Sequence, residues 1–209
     1  MNKQSKDGNI SWTDYTWNPI KGLCPVGCWY CYARAMYKRF KMNPEIRPDK
    51  IYYPDMIAMP YCPEKPVRIF VCSTFEIFHP SVKKEWRDWI FNVIKYNSTC
   101  IFQILTKMPE NIDRPMPDNV WLGVSVESRR GCSGRISFLG GAKAKVKFIS
   151  IEPLLEYRVP ILGRIEIPNW IDWVIIGRLT GRGKKHNPPS RWIFSIVRDC
   201  KQVGAAIFL

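Results

Sequence analysis

The sequence predicts an α/β fold, a partial or complete parallel (β/α) barrel, and three observations carry that expectation. Short apolar runs recur at Ile69 to Cys72, Ile101 to Leu105, Val120 to Val126, Val146 to Ile151, Trp173 to Ile176 and Ala205 to Leu209. Each has the length of a buried strand. Amphipathic or polar segments separate them, the alternation that covers both faces of a parallel sheet. No glycine-rich dinucleotide fingerprint follows any of these strands, so about six or seven of them fit a barrel better than a Rossmann sheet.

The chain has 209 residues, 46% of them hydrophobic. That is enough for a single domain, 1–209, with a sizeable core. No apolar run approaches the roughly 20 residues that span a bilayer. Residues 1–9 are polar and lack an apolar signal segment. A cytoplasmic protein without membrane partners is the expectation, and thiols stay reduced there. Its eight cysteines then point to metal or redox chemistry rather than to disulfides. Thirty-two Lys and Arg against 18 Asp and Glu give a net charge of +14. Such an excess suits a polyanion, above all nucleic acid, with a solubilising basic surface as the plain alternative.

Taken in order, Ile10 to Gly22 is rich in aromatic and β-branched residues and ends in Asn18-Pro19 and Gly22. A short strand leading into a loop fits that composition. From Cys31 the pattern turns helical, with Tyr32, Met36 and Phe40 on one face and Arg34, Lys38 and Lys41 on the other. Residues 42–66, rich in Pro, Tyr and Met without a period, read as an extended covering loop. Ser81 is placed to cap a helix with Val82, Trp86, Trp89, Ile90, Val93 and Ile94 on its apolar face. An Arg- and Gly-rich segment, Ser128 to Gly141, follows the strand at 120–126. Glu152-Pro153 opens a short helix, and Gly177 to Pro189 forms a basic loop. Ser190 is placed to cap a last helix that turns Ile193, Ile196, Val197 and Cys200 inward and ends at Gly204. Cys72, Cys100 and Cys200 read as buried small hydrophobes, whereas Cys62 and Cys132 lie in loops.

Three cysteines, Cys24, Cys28 and Cys31, fall within eight residues at C-x3-C-x2-C spacing. Thiolates are soft ligands that suit zinc and iron–sulfur clusters. Such sites usually take four protein ligands, so a group of three leaves one metal position open. A zinc knuckle would fill it from Cys62, Cys132 or His79. Polar residues also recur just beyond successive strands: Ser73, Thr74 and Glu76; Thr106 and Lys107; Ser125 and Glu127; Ser150 and Glu152; then Arg178. Chemistry collects at those positions in α/β barrels, although Glu127-Ser128 and Glu152-Pro153 also serve as helix starts. His79 is either a hydrogen-bond donor into the site or a local helix-start residue. Cys132, among Arg129, Arg130 and Arg135, is either a reactive thiol with a lowered pKa or an ordinary loop cysteine. The basic loops 128–135 and 178–191, with Lys143, Lys145 and Lys147, form a candidate collar for phosphates.

The cysteine spacing, with Tyr30 ahead of the third thiol, resembles the signature of radical S-adenosylmethionine (SAM) enzymes. The resemblance extends to W-T-D-Y-T-W-N-P-I-K-G at 12–22, C-Y-A at 31–33, F-E-I-F-H at 75–79, F-Q-I-L-T-K at 102–107, V-W-L-G-V-S-V-E at 120–127, S-I-E-P-L-L at 150–155 and D-W-V-I-I-G at 172–177. Together these are similar to the phage-associated three-cysteine-motif family, a radical SAM-like group. Spore photoproduct lyase is a more distant likeness. The resemblance implies a barrel of the radical SAM type in which Cys24, Cys28 and Cys31 ligate a 4Fe–4S cluster that binds SAM. It implies Tyr30 at the adenine, Ser73 and Thr74 at the SAM amino group, and Ser125 and Glu127 at the ribose hydroxyls. Lys107 and Glu152 are motif positions and, with Cys132, candidates for the catalytic step. An electron donor is implied as a partner. Relatives carry Gly-Gly-Glu-Ser-Gly where this chain has Gly177-Arg178-Leu179-Thr180-Gly181, and they continue past the position of Leu209. The expected function is SAM cleavage that starts radical chemistry on a nucleic acid or nucleotide. The alternative is a zinc- or cluster-stabilised nucleic-acid-binding protein without turnover.

Overall fold

The computed structural model describes residues 1–4, 10–49, 65–159, 163–181 and 184–209. Its strands are β1 (Asn2–Lys3), β2 (Tyr15–Trp17), β3 (Ile20–Lys21), β4 (Arg47–Pro48), β5 (Arg68–Val71), β6 (Ile101–Thr106), β7 (Val120–Ser125), β8 (Val146–Ile151), β9 (Arg158–Val159), β10 (Gly163–Arg164), β11 (Trp173–Ile176) and β12 (Ala206–Phe208). Its helices are α1 (Tyr32–Arg39), α2 (Lys84–Tyr96), α3 (Arg129–Gly141) and α4 (Ser190–Val203). The architecture is mixed α/β, with a mostly parallel eight-stranded sheet in the order β1-β2-β5-β6-β7-β8-β11-β12. The chain divides into two compact units, Met1–Leu105 with Met116–Trp121, and Thr106–Pro115 with Leu122–Leu209.

In the first unit β2, β5 and β6 run parallel, with Thr16 opposite Phe70 and Phe70 opposite Gln103. Strand alternation puts those three on one face and Trp17, Val71, Ile104 and Phe102 on the other. The second face meets α2: Trp17 packs edge-on against Trp89 at 5.9 Å and against Phe102 at 6.3 Å. Asp14 pins the β2–β5 register. Its carboxylate accepts the Arg68 backbone N–H at 2.9 Å and the guanidinium at 3.0 and 3.2 Å, and its own N–H donates to the Arg68 carbonyl. Burial would raise the Asp14 pKa, but its bonds to Arg68 outweigh that and hold it below the usual carboxylate value.

The second unit repeats the logic. Trp173 lies opposite Phe148 on one side and Ala206 on the other, all parallel. One face carries Ile149, Ile151, Val174 and Ile176; the other carries Phe148, Ser150, Trp173 and Ile175. The Phe148 ring lies flush on Gly123, where an added Cβ would come within 2.5 Å of it. Helix α4 buries Ile196 and Cys200 and stops at Gly204, which adopts the left-handed φ of 79° that favours glycine.

Several local expectations need correction. The segment from Arg129 is helix α3, so Cys132 lies in a helix rather than a loop, and 128–135 comprises a cap and the first helical turns. No helix follows Glu152-Pro153. The Leu154 N–H donates to the Gly177 carbonyl, and those of Leu155 and Glu156 donate to the Glu127 carbonyl, at 2.8–3.2 Å. Backbone groups committed to neighbouring strand ends are not free for a helical turn. Lys83, not Ser81, is the cap residue of α2, and Pro189, not Ser190, that of α4. Within 42–66, Arg47–Pro48 pairs antiparallel with β3, while 50–64, with Cys62, lie outside the described residues. Helix α1 starts after Cys31 as expected, but its stripe Tyr32, Met36 and Phe40 is exposed and Ala33 is its buried residue. Cys72, Cys100 and Cys200 are buried. Among the described residues no helix is long and apolar enough to cross a membrane.

Candidate metal centre

Two glycines shape the cysteine loop. Gly22 holds φ at 117° and its Cα abuts the Glu45–Ile46 backbone, where a Cβ would lie 2.5 Å from the Glu45 carbonyl oxygen. Its N–H donates to the Tyr37 hydroxyl at 2.7 Å. Gly27, at φ 70°, makes the turn between Cys24 and Cys28. The Cys31 N–H closes on the Cys28 carbonyl at 3.1 Å, and the Cys31 carbonyl accepts the Ala35 N–H as α1 begins. One turn into that helix, Arg34 reaches back to the Cys24 carbonyl at 2.8 Å.

These contacts bring all three predicted thiols to one pocket, together with Gly27, Arg34 and Thr74. The cysteines are free and half-buried. The enclosed space is only about 20 Å³, room for one water. Among the described residues no three His, Cys, Asp or Glu side chains converge as a ready-made metal cage. Burial pushes the Cys24 thiol pKa up, with Glu76 and Cys31 adding to the rise. The Val26 and Glu76 backbone N–H groups oppose it by donating to the sulfur, the bonding that stabilises a thiolate. Donor chemistry in this pocket therefore fits a thiophilic metal, although the thiols do not converge on it.

Ser73 and Thr74 leave β5 beside this pocket. Asn18 holds them, donating from Nδ2 to Ser73 Oγ at 3.1 Å and accepting the Thr74 N–H at 3.2 Å. The Tyr32 hydroxyl donates to the Ser73 carbonyl at 2.9 Å. Just before them, Cys72 is buried with a left-handed φ of 58°. Burial, then the charge of nearby Glu76, drives its thiol pKa far up. Glu76 is itself buried, and its Oε1 accepts the Phe78 N–H. Tyr30 is half-buried and packs edge-on against Trp29 at 5.5 Å. His79 Nδ1 accepts the Ser81 N–H at 3.1 Å, a local turn contact. Asn18, Tyr32 and Arg34 are the supports that residue types alone did not single out; an Asn-Pro just after a strand was the available signal for Asn18.

In the second unit Glu127 is the hub. Its Oε2 accepts from Lys107 Nζ at 3.2 Å and from an Arg135 guanidinium N–H at 2.8 Å, and that same Arg135 nitrogen donates to the Ser125 carbonyl at 2.9 Å. All three charged side chains are about four-fifths buried. Burial would raise the Glu127 pKa, but Lys107 and Arg135 outweigh it and the net shift is downward. Ser125 and Ser150 are buried near their strand ends. Glu152 lies against the bare Cα of Gly177, where a Cβ would fall 2.7 Å from its carboxylate. Arg178 is exposed, and the Cys132 side chain lies outside what the structure describes. Lys184–His186, within the 178–191 segment, form a 3-10 turn.

A family model described as a protein of unknown function, DUF5131, matches residues 7–209. No curated protein and no solved structure matches the chain.

Proposed function

The chain belongs to the DUF5131 family, whose function is unknown, and on that premise we propose that it is a radical SAM enzyme acting on nucleic acid or a nucleotide. The observation that carries the reading is that Cys24, Cys28, Cys31 and Thr74 line one pocket. Three thiols would hold a 4Fe–4S cluster and leave one iron for SAM. When bound and reduced by an electron donor, the cluster would supply the electron that cleaves SAM and so begin hydrogen abstraction from the substrate. Closure of the sheet into a radical SAM-type barrel belongs to the same proposal.

The chain's own residues have definable parts in this reading. The Val26 and Glu76 amides would donate to a cluster-bound Cys24 sulfur, a bond that tunes cluster potential. Arg34 fixes the loop through the Cys24 carbonyl. Asn18 and Tyr32 orient Ser73 and Thr74, the positions proposed for the SAM amino group. Glu127 keeps one carboxylate oxygen on Lys107 and Arg135, so a ribose contact would use the other. The net charge of +14 supports a polyanionic substrate, and an electron donor completes the partners.

A second reading rests on the same three free thiols: with a fourth ligand they would hold a single zinc ion, as in a metal-stabilised nucleic-acid-binding protein without turnover. One experiment separates the two. Protein purified without oxygen is analysed for iron, sulfide and zinc, then given SAM and dithionite. About four irons per chain and release of 5′-deoxyadenosine are expected. One zinc, no iron and no SAM cleavage would rule out the enzyme.

A further inference from the structure

We infer that the exposed face of α1, with Trp29 just ahead of it, is a binding surface for single-stranded nucleic acid. The inference takes its substrate class from the reading above but does not depend on the cluster. Trp29, Tyr32, Met36 and Phe40 follow one another at intervals of three and four residues, and are 55, 52, 40 and 61% exposed. A helix normally turns such a stripe into the core. Left outward, a contiguous apolar stripe marks a binding face.

The surrounding charge says what it binds. From Tyr15 to Pro44 the chain carries five cations and no Asp or Glu. Arg39 borders the rings, its guanidinium over Phe40 at 5.2 Å; Lys38 is exposed on the opposite face of α1, Arg34 is turned to the Cys24 carbonyl and Lys21 pairs with Asp49. Exposed rings bordered by a cation take a single strand, because bases stack on the rings while the cation meets a phosphate. Two of the rings are already placed. Tyr32 is tied through its hydroxyl to the Ser73 carbonyl at 2.9 Å, and Trp29 rests edge-on against Tyr30. Little side-chain freedom is then lost on stacking. A duplex hides its base faces from such a platform. A bilayer would need deeper apolar insertion than a two-turn helix with a tethered tyrosine offers.

The test is fluorescence anisotropy of a labelled single strand of about 16 nucleotides, long enough for one extended binding site, against the full chain. Parallel arms use the matching duplex, anionic phosphatidylserine vesicles, and sedimentation of the protein alone. Phe40→Ala and Trp29→Ala are each expected to weaken single-strand binding about tenfold. Arg39→Ala should lower the salt slope by about one, and Lys38→Ala, on the opposite face of the helix, should leave it almost unchanged. All of these side chains are exposed, so circular dichroism should be unchanged. Iron is measured on the same samples: binding lost with metal content unaltered supports the surface, and failure of the cluster reading alone leaves it standing. Trp29, Phe40 and Arg39 variants that bind like the parent overturn it. So do equal affinity for the duplex, or vesicle binding or self-association that these substitutions abolish while strand binding persists.

Discussion

Between β3 and α1 the first unit carries uncharged, soft donors; between β7 and α3 the second carries a carboxylate clasped by two cations. Both regions link a strand to a helix and both are partly buried. Their bonding is opposite. The cysteine loop is held by backbone amides, the Tyr37 hydroxyl and an arginine directed at a carbonyl, so the thiols themselves are left to a pocket. At Glu127 the side chain that resembles a ligand-binding residue is itself part of the scaffold. A polar residue beyond a strand is therefore better judged by how much of its bonding the chain already uses than by its position alone.

The sharpest way to break that contrast is to remove one group from each side. On the proposed cluster reading, Cys28→Ala should take the iron of anaerobically purified protein from about four per chain to almost none, while Glu127→Gln leaves it intact; elemental analysis decides, and equal loss from both would erase the distinction. Gly22→Ala comes next. It adds a Cβ 2.5 Å from a backbone oxygen at a φ of 117°, and should cost about 3 kcal/mol in urea unfolding, with the metal lost as well. Glu127→Gln keeps shape but leaves Lys107 and Arg135 without their countercharge. At roughly one-fifth exposure the expected cost is about 1–3 kcal/mol by the same assay, below that of a fully buried pair because solvent still screens it.

A smaller effect separates Glu127 and Cys24 by pH. The native Glu127 pKa is lowered from its ordinary 4.5, so the clamp's contribution is whole above that value and fades as pH falls through the native one. The native Cys24 thiol pKa is raised from 9.0. Its contribution is whole below that value and fades as pH rises through the native one. Thermal melts of metal-free protein should therefore weaken in acid through Glu127 in the second unit and Asp14 in the first, and in alkali through Cys24 in the first and Cys200 in the second. Glu127→Gln should flatten only the acid limb, and a change in the alkaline limb would count against the assignment.

The strands were the most legible part of this fold. Runs such as Ile69-Phe70-Val71 and Val146 to Ile151 are β-branched, aromatic and bounded by breakers, so local chemistry and tertiary burial agree. Helix α3 was hidden because Gly131, Gly134, Gly140 and Gly141 interrupt it and no apolar period survives. Leu154-Leu155 looked helical, yet their amides are claimed by the Gly177 and Glu127 carbonyls, a partnership no local pattern encodes. In α1 the period was readable but its direction was not, since spacing says which residues share a face and not whether anything covers it. The shared pocket of the three cysteines follows from close spacing in one loop. Arg135 as the partner of Glu127 depends on a helix that the sequence disguises.

Cys72 has a consequence for how this chain can drift in sequence. At the exit of β5 it combines a left-handed backbone, which glycine meets most easily, with a buried niche in which the Ile20 amide donates to its sulfur, a contact glycine would leave unmade. The two demands exclude most of the alphabet: β-branched residues by conformation, and larger ones by volume. Cysteine is small, apolar in its protonated form and slim at Cβ, so it satisfies both in part. Neutral replacement at this position should be confined to Gly, Ala and Ser, the last keeping an acceptor for the Ile20 amide, and a saturation library scored for folded protein would show a column almost as narrow as that of Gly22, for a different reason.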